Sequence, residues 1–583
     1  MTAISLRKAA DKLSLWPAAV NVLAAVSAVV AVAAGDTTVA LFLALVVLAA
    51  VVRRQRKTLR RVPRGIGGAG RYLTSRFLLV ATSAALLGTE GALTPLAVVV
   101  LLLAILIIAA EPLLRTLNGM AVPYGANIPG RLARNAATFP YGWLFPLNLL
   151  IVLLLVLATL APTVLVPVAA GLIVVSLATV AAATFDVLRR IRARHSFQQD
   201  LPQILEEMEP VFYIYWHAPA RSAFQVMMWL PYLERLGVPF AIVVRTVGNF
   251  RQLHRRTEHP VILRRSMSDL DALIVPSARG VFYVNNAMRN THMIRYSALT
   301  HIQLLHGESD KAASANPITR MYDRDFVAGQ AAIDRFDTFG VPMPRDIFRI
   351  VGRPQVENVL QARGPIGELE DRAVLYAPTW LGYQAETNYS SLPVGADIVR
   401  ALLERGCRVV FRPHPYARRA PELRQACREI TEMLAADAAA TGRAHLFGTV
   451  AEREMSVVDC FNAADAMIAD VSGVVGDFLH SGKPLAMVSP RTGAAEFVLR
   501  FPMARAAYVL EVEGSVPRDL DGVLDELLRT DSRREERRRW ATYYLGDIPR
   551  EGYAERFVTV AREELGLGGA VPAAPDPDSA ATS

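Results

Sequence analysis

Hydrophobic positions are spread very unevenly along this chain, and their distribution divides it in two. Up to about residue 186 they form long unbroken runs; beyond it they form short runs between polar stretches. Six apolar stretches can be drawn, over 16–34, 37–52, 73–89, 93–110, 146–162 and 164–185. A helix that crosses a bilayer needs about 20 apolar residues, and several of these runs sit near the lower bound. They predict three helical hairpins closed by short turns at Gly35-Asp36, Gly88-Thr89-Glu90-Gly91 and Ala161-Pro162-Thr163. The helix interiors hold almost no ionisable residues, so no proton or ion path is read there and an anchoring role is expected.

After Arg194 the period changes. Short β-branched or aromatic runs alternate with longer helical patterns, the signature of βαβ architecture. Strands are predicted at Val211–Trp216, Phe240–Val244, Ala272–Val275, Val281–Val284, Ile302–Leu305 and Phe348–Val351. A second series covers Val374–Ala377, Arg408–Phe411, Ala444–Leu446, Ala466–Ala469 and Leu485–Val488. Helices are predicted at Phe224–Arg235, Pro393–Arg405, Pro421–Ala439 and Val474–His480. Two series in tandem suggest two Rossmann-like domains facing a cleft, divided at the Gly/Pro interruption Arg363-Gly364-Pro365-Ile366-Gly367. The expected organisation is a six-helix transmembrane domain (1–195), two α/β domains (196–365 and 366–565) and a disordered Ala/Pro/Asp-rich tail (566–583).

Charge then orients the membrane half. The net charge is +9, and much of the excess lies beside apolar runs: Arg53, Arg54, Arg56, Lys57, Arg60, Arg61 and Arg64 after one, Arg189, Arg190, Arg192 and Arg194 after another. The short turns carry no Lys or Arg, whereas the N-terminus carries Arg7, Lys8 and Lys12 and the 111–145 loop carries Arg115, Arg131 and Arg134. The positive-inside rule places the N-terminus and the C-terminal half in the cytosol, with the arginines near anionic headgroups. No nucleic-acid recognition fold accompanies the charge, so nucleic acid is not an expected partner. The three cysteines, Cys407, Cys427 and Cys460, form no CxxC, which suggests neither a disulfide framework nor a zinc site.

Ligands of open α/β sheets bind beyond the carboxyl ends of strands, so residues there carry the candidate chemistry. His306 follows an apolar strand and precedes Gly307 and Lys311. An imidazole there can accept a proton near neutral pH, and the glycine admits a substrate closely. Arg412 and His414 follow another strand between prolines, offering a guanidinium fork for phosphate. In the third segment a strand runs into Asp470, then Ser472 and Gly473 open a helix whose N-terminus suits phosphate. Ser472 reads as N-cap and phosphate ligand, Asp477 as a ribose contact, and Lys483 as a further cation. Each segment has a plainer structural reading as a strand end, a turn or a cap. Asp323-Arg324-Asp325 matches the DxD pattern of metal-using transferases, a pattern that is common by chance; no GxxxxGK[ST] loop or HExxH occurs.

In order, these motifs resemble the CDP-glycerol:poly(glycerophosphate) glycerophosphotransferase family of teichoic-acid polymerases and primases. The resemblance rests on His306-Gly307 with Lys311, on Leu375-Tyr376-Ala377-Pro378-Thr379-Trp380, on Arg412 with His414-Pro415, and on Asp465 through Asp470, Ser472 and Asp477 to Lys483-Pro484. It covers roughly residues 205–560; the membrane half stands outside it. Val471-Ser472-Gly473 departs from the family's Tyr-Ser-Ser, which leaves the identity of the CDP-alcohol open. The resemblance implies a GT-B fold and a bacterial membrane enzyme that moves a polyol phosphate, glycerol phosphate foremost, from a CDP-alcohol to a lipid-linked envelope polymer, releasing CMP. His306, Lys311 and His414 would be catalytic; Arg412, Asp470, Ser472, Gly473, Asp477 and Lys483 would bind the nucleotide and its phosphates. No cofactor or metal is expected beyond the CDP-alcohol substrate. The competing readings are a transferase using a nucleotide sugar and a non-catalytic membrane scaffold.

Overall fold

The computed structural model describes residues 15–59, 70–121, 124–129, 139–220, 222–307, 310, 314–382 and 388–568. Arg7, Lys8, Lys12, Arg60, Arg61, Arg64, Arg131, Arg134, Lys311 and most of the expected disordered tail therefore lie outside the described residues. The chain forms two compact units, residues 1–126 with 130–201, and residues 127–129 with 202–583.

The first unit is helical: α1 (Leu15–Val29, extended by a π turn, Val30–Ala34), α2 (Thr37–Leu59), α3 (Leu73–Thr89), α4 (Pro95–Met120), α5 (Leu144–Leu157) and α6 (Pro162–Met208, which runs into the second unit). Local chemistry sets the turns. Gly35 ends the first helix with φ 63°, a left-handed conformation that costs glycine little. Asp36 then caps α2 by accepting the Val39 N–H at 3.0 Å. Thr94 caps α4 in the same way through Ala97 N, and Pro95 occupies the first helical position. All six apolar runs are helices. Four helices are long and apolar enough to cross a membrane, and those at Leu73–Thr89 and Tyr141–Leu157 are shorter.

A second correction concerns charge. Arg76 of α3 and Glu111 of α4 are wholly buried against each other, with N–O distances of 2.6 and 2.8 Å. Glu111 also accepts from Asn148 Nδ2 at 2.7 Å and from Gly70 N at 2.9 Å, and Ser176 Oγ donates to Asn148 Oδ1 at 2.7 Å. Arg76 further lies over the Phe145 ring, 5.1 Å from its centroid. Each helix brings one polar group, which looks harmless in sequence; together they form a network joining α3, α4, α5 and α6. An isolated charge in a low-dielectric interior is untenable, whereas a paired and hydrogen-bonded one is tolerated.

The second unit contains two parallel sheets. The strands of the first are β1 (Phe212–Trp216), β2 (Phe240–Val244), β3 (Val261–Leu263), β4 (Gly280–Tyr283), β5 (Thr300–Gln303), β6 (Arg324–Val327) and β7 (Phe348–Ile350). They pair in the order β3-β2-β1-β4-β5-β6-β7. The second sheet holds β8 (Ala373–Ala377), β9 (Arg408–Phe411), β10 (Ala466–Ala469), β11 (Leu485–Ser489), β12 (Tyr508–Glu513) and β13 (Val516–Pro517), ordered β9-β8-β10-β11-β12-β13. Only β13 runs antiparallel. β1, β2, β10 and β11 are buried throughout, as expected of strands covered on both faces. The order reverses between β1 and β4 and between β8 and β10, where such sheets open a crevice for ligands.

Several predicted elements differ. Ala272–Val275 is no strand, because Ser268–Leu273 forms a 3₁₀ turn anchored by Asp269, which accepts from the backbone of Arg265 and Ser266. Ala444–Leu446 contributes only an isolated bridge from Leu446 to Val410. Phe224–Arg235 is two short helices, Phe224–Met227 and Leu230–Glu234, the second opened by Pro231. β3, β6, β12 and β13 are strands that the sequence pattern does not announce; Arg324 and Asp325 disguise β6 as polar. The C-terminal helix Tyr553–Glu564 leaves the second sheet for the first. Glu564 accepts from Arg324 Nε at 2.7 Å and Arg349 Nε at 2.6 Å, and the Phe557 ring lies against Trp229 with centroids 5.2 Å apart.

Replacing Glu111 by Gln leaves the Arg76 guanidinium buried without its counter-charge. Thermal unfolding of the full chain in detergent should show a loss of about 3–5 kcal/mol. The paired change Arg76→Met with Glu111→Leu should recover most of it.

Candidate functional site

His306 sits where β5 ends and the backbone turns sharply, with φ 52° at Leu305 and 156° at Gly307. Trp229 Nε1 donates to the Leu305 carbonyl and holds that left-handed residue in place. The imidazole is fixed from both sides. Nδ1 lies 3.0 Å from the Val284 carbonyl, which can only accept, so Nδ1 carries the proton. Nε2 lies 3.3 Å from Gln225 Nε2. The Gln225 carbonyl oxygen already accepts from Trp216 Nε1 at 3.1 Å and Asn285 Nδ2 at 2.8 Å, so its amide nitrogen faces the histidine and donates. Nε2 therefore keeps a basic lone pair. Burial lowers the His306 pKa below the usual 6.5, opposed by the bond to Val284 and aided by the positive charge of Arg353.

His414 is held in the other tautomer. Its Nδ1 accepts the Tyr416 backbone N–H at 3.1 Å, so the proton of the neutral ring lies on Nε2. The ring stacks on Trp380 with centroids 6.0 Å apart and meets Tyr416 edge-on at 5.2 Å. His414 N also donates to the Pro378 carbonyl at 2.9 Å, tying the exits of β8 and β9 together.

The other predicted residues divide between ligand-ready and structural positions. Ser472 precedes the short helix Gly473–Leu479, yet its side chain makes no capping bond, against expectation. Its Oγ is buried and has no hydrogen-bond partner among the described residues. Asp470 is fully buried, and its Oδ2 accepts from Thr379 N at 2.6 Å and Ser391 N at 3.1 Å. It organises the crevice between β8 and β10; a carboxylate cannot itself receive phosphate oxygens. Asp477 does not stand open for a ribose, because Arg353 engages it at 2.8 and 3.3 Å. Arg412 directs Nη1 to the carbonyls of Ala451 and Met455, holding the turn at 450–455. Lys483 is buried, and its Nζ donates to the carbonyls of Phe461 at 2.8 Å and Ala464 at 2.7 Å. Burial brings its pKa down to about 8, against the pull of Asp465. Its expected phosphate contact is therefore corrected to an internal one. In the DxD stretch, Asp323 accepts from His301 N at 2.8 Å and Asp325 lies buried within β6.

Three contributors escaped the sequence reading: Gln225, Asp310 and Arg353. Arg353 follows β7 in Val351-Gly352-Arg353-Pro354, the same strand, cation and proline layout that singled out Arg412, so a signal was present. Asp310, next to Lys311, accepts from Tyr544 Oη at 2.8 Å and Met503 N at 2.9 Å, and faces Arg335 at 3.8 Å. Those partners are far away in sequence and invisible to local pattern. Arg353 thus bonds Asp477 on the helix that Ser472 precedes, and its charge lowers the His306 pKa.

A basic imidazole, an N–H-bearing imidazole and a serine that opens a helix thus lie at strand ends of an α/β protein. Residues 349–539 match the model of the CDP-Glycerol:Poly(glycerophosphate) glycerophosphotransferase family. His414, Asp470 and Ser472 fall inside the matched stretch; His306, Gly307 and Lys311 fall before it. Among solved structures, the Wall Teichoic Acid Polymerase TagF is similar at 12% identity and TM-score 0.40, covering 66% of this chain and 96% of that one. A UDP-N-acetylglucosamine 2-epimerase is similar at 15% identity and TM-score 0.40, covering 63% and 99%. A glycosyltransferase from Rickettsia africae is similar at 10% identity and TM-score 0.39, covering 62% and 99%. No curated protein matches the chain.

Ser472→Ala removes no hydrogen bond within the protein. It should leave the melting temperature unchanged and weaken CDP binding by about 1 kcal/mol, read by calorimetric titration. Lys483→Met should do the reverse, lowering the melting temperature through two stranded carbonyls while leaving CDP affinity unchanged.

Proposed function

We propose that this enzyme transfers a polyol phosphate, glycerol phosphate foremost, from a CDP-alcohol to a lipid-linked cell-envelope acceptor and releases CMP. The observation that carries the reading is the family match over residues 349–539. The two sheets then form the lobes of a GT-B arrangement, with the first lobe facing the acceptor and the second the nucleotide. The helical unit anchors the catalytic half at the cytosolic face of a bacterial membrane.

In this mechanism the acceptor hydroxyl attacks the phosphorus that bears the alcohol. His306 Nε2, held unprotonated by Gln225 and Val284, takes the hydroxyl proton. His414 Nε2–H, Lys311 and the Ser472–Gly473 helix terminus hold the pyrophosphate, and the bond to CMP breaks. CMP leaves well without a strong acid, so charge stabilisation and positioning supply most of the rate. Asp470 keeps the crevice open, Arg412 steadies its rim, and the charge of Arg353 favours the deprotonated His306. The reading invokes no cofactor beyond the donor substrate.

The direct test is CMP release by the full chain with membrane lipid extract as acceptor, comparing CDP-glycerol, CDP-ribitol and UDP-glucose. Release from a CDP-alcohol that disappears in His306→Ala supports the reading. Turnover of UDP-glucose alone contradicts it in favour of a nucleotide-sugar transferase, and binding without any turnover favours a scaffold.

The pH dependence follows from the sign of the His306 shift. A base works only when unprotonated, and its folded-state pKa is depressed, so the acid limb of kcat/KM should fall below pH 6.5. Arg353→Gln removes a positive charge that opposes protonation. It should therefore move that limb to higher pH.

A further inference from the structure

One side of the first sheet ends in basic side chains that the transfer chemistry at His306 leaves unused. His217 follows β1 and Arg245 follows β2. Arg289 and His292 lie in the short helical turns over 288–294, between β4 and β5. All four belong to the carboxyl edge of the sheet, beside the reversal of strand order at β1 and β4 where such sheets take ligands.

Their internal bonds leave donors over. Arg245 is buried, and its guanidinium reaches the carbonyls of Ser266 at 3.0 Å and Arg265 at 3.3 Å and His292 Nδ1 at 3.1 Å. A guanidinium only donates, so His292 Nδ1 accepts and the proton of its neutral ring sits on Nε2. Arg289 makes one long bond, 3.4 Å to the Arg245 carbonyl, and the His217 ring makes none among the described residues. His217, Arg289 and His292 are all partly exposed. Of the carboxylates on this side, Asp269 lies within Coulomb reach of Arg245 but accepts from the Arg265 and Ser266 amides at 2.9 and 2.8 Å, and Asp271 pairs with Arg295 at 2.8 Å. Burial, and then the charges of Arg289 and Arg245, hold the His217 pKa below the usual 6.5; burial, Arg245 and Arg289 do the same to His292. A bound anion relieves that repulsion.

The cluster is also tied to the base. The His217 carbonyl accepts from Asn285 Nδ2 at 3.1 Å, and Asn285 donates to the Gln225 carbonyl, whose amide nitrogen faces His306. Because β4 separates β1 from β5, the exits that carry His217 and His306 stand two strand spacings apart, about 10 Å. We propose that His217, Arg289 and His292, with Arg245 beneath them, form an anion subsite that holds the acceptor's own phosphate while its terminal hydroxyl reaches His306. The acceptor is then a phosphate-bearing polyol end, not a neutral glycan. The acceptor role rests on the transfer reading, whereas anion binding at the cluster does not.

The test is calorimetric titration of the full chain in neutral detergent, saturated with CMP, against glycerol 3-phosphate and, separately, glycerol. Wild type should bind glycerol 3-phosphate and not glycerol. Arg289→Gln should weaken that binding at least about tenfold, and Arg289→Lys should restore most of it. Unchanged affinity in the Gln variant overturns the proposal, as does equal affinity for glycerol or no binding by wild type. If Arg289→Gln does not fold, His217→Gln should show a loss in the same direction, and full affinity there also overturns the proposal. CMP titration alone reports on the transfer reading: a chain that binds glycerol 3-phosphate through Arg289 but not CMP keeps the anion subsite and loses the transferase.

Discussion

A buried polar group must find a partner, because leaving one unpaired costs more than most single contacts return. That constraint shapes both units of this chain. In the helical unit it draws Arg76, Glu111, Asn148 and Ser176 into one network across four helices. In the α/β unit it makes Asp470 gather two backbone amides, and Lys483 two carbonyls. At His306 the same rule has a chemical consequence. Trp216 and Asn285 occupy the Gln225 carbonyl, Gln225 must then donate, and the imidazole is left with its lone pair on Nε2.

Ser472 is one of several described residues with a buried polar atom that escapes that rule. Ser472 Oγ is buried without a hydrogen-bond partner among the described residues, beside the start of a helix and near the crevice between β8 and β10. Asp470, Arg412 and Lys483, by contrast, are engaged with backbone groups of the protein.

Much of the fold was legible because period and length carry it. The apolar runs became helices, Phe240–Val244, Arg408–Phe411 and Ala466–Ala469 are strands at the predicted bounds, and Gly35-Asp36 closes a hairpin as read. Failures came where tertiary contacts override local pattern. β6 looks polar because Arg324 reaches Glu564, and the last helix returns to the first sheet by contacts that no spacing reveals. Within the site, strand-end position singled out His306, His414 and Ser472, each of which lies just beyond a strand. It could not tell a cation facing a crevice from one, like Lys483, that turns inward to satisfy carbonyls. Gln225 and Asp310 were missed because their roles exist only through distant partners.

The central claim is that His306 performs chemistry while the second sheet binds nucleotide. Calorimetric titration of CMP into wild type, His306→Ala and His414→Ala, paired with single-turnover CMP release, tests it most directly. The account predicts that His306→Ala binds CMP as wild type does yet loses nearly all turnover, and that His414→Ala loses affinity. Loss of CMP affinity in His306→Ala, or turnover that survives it, would contradict the account.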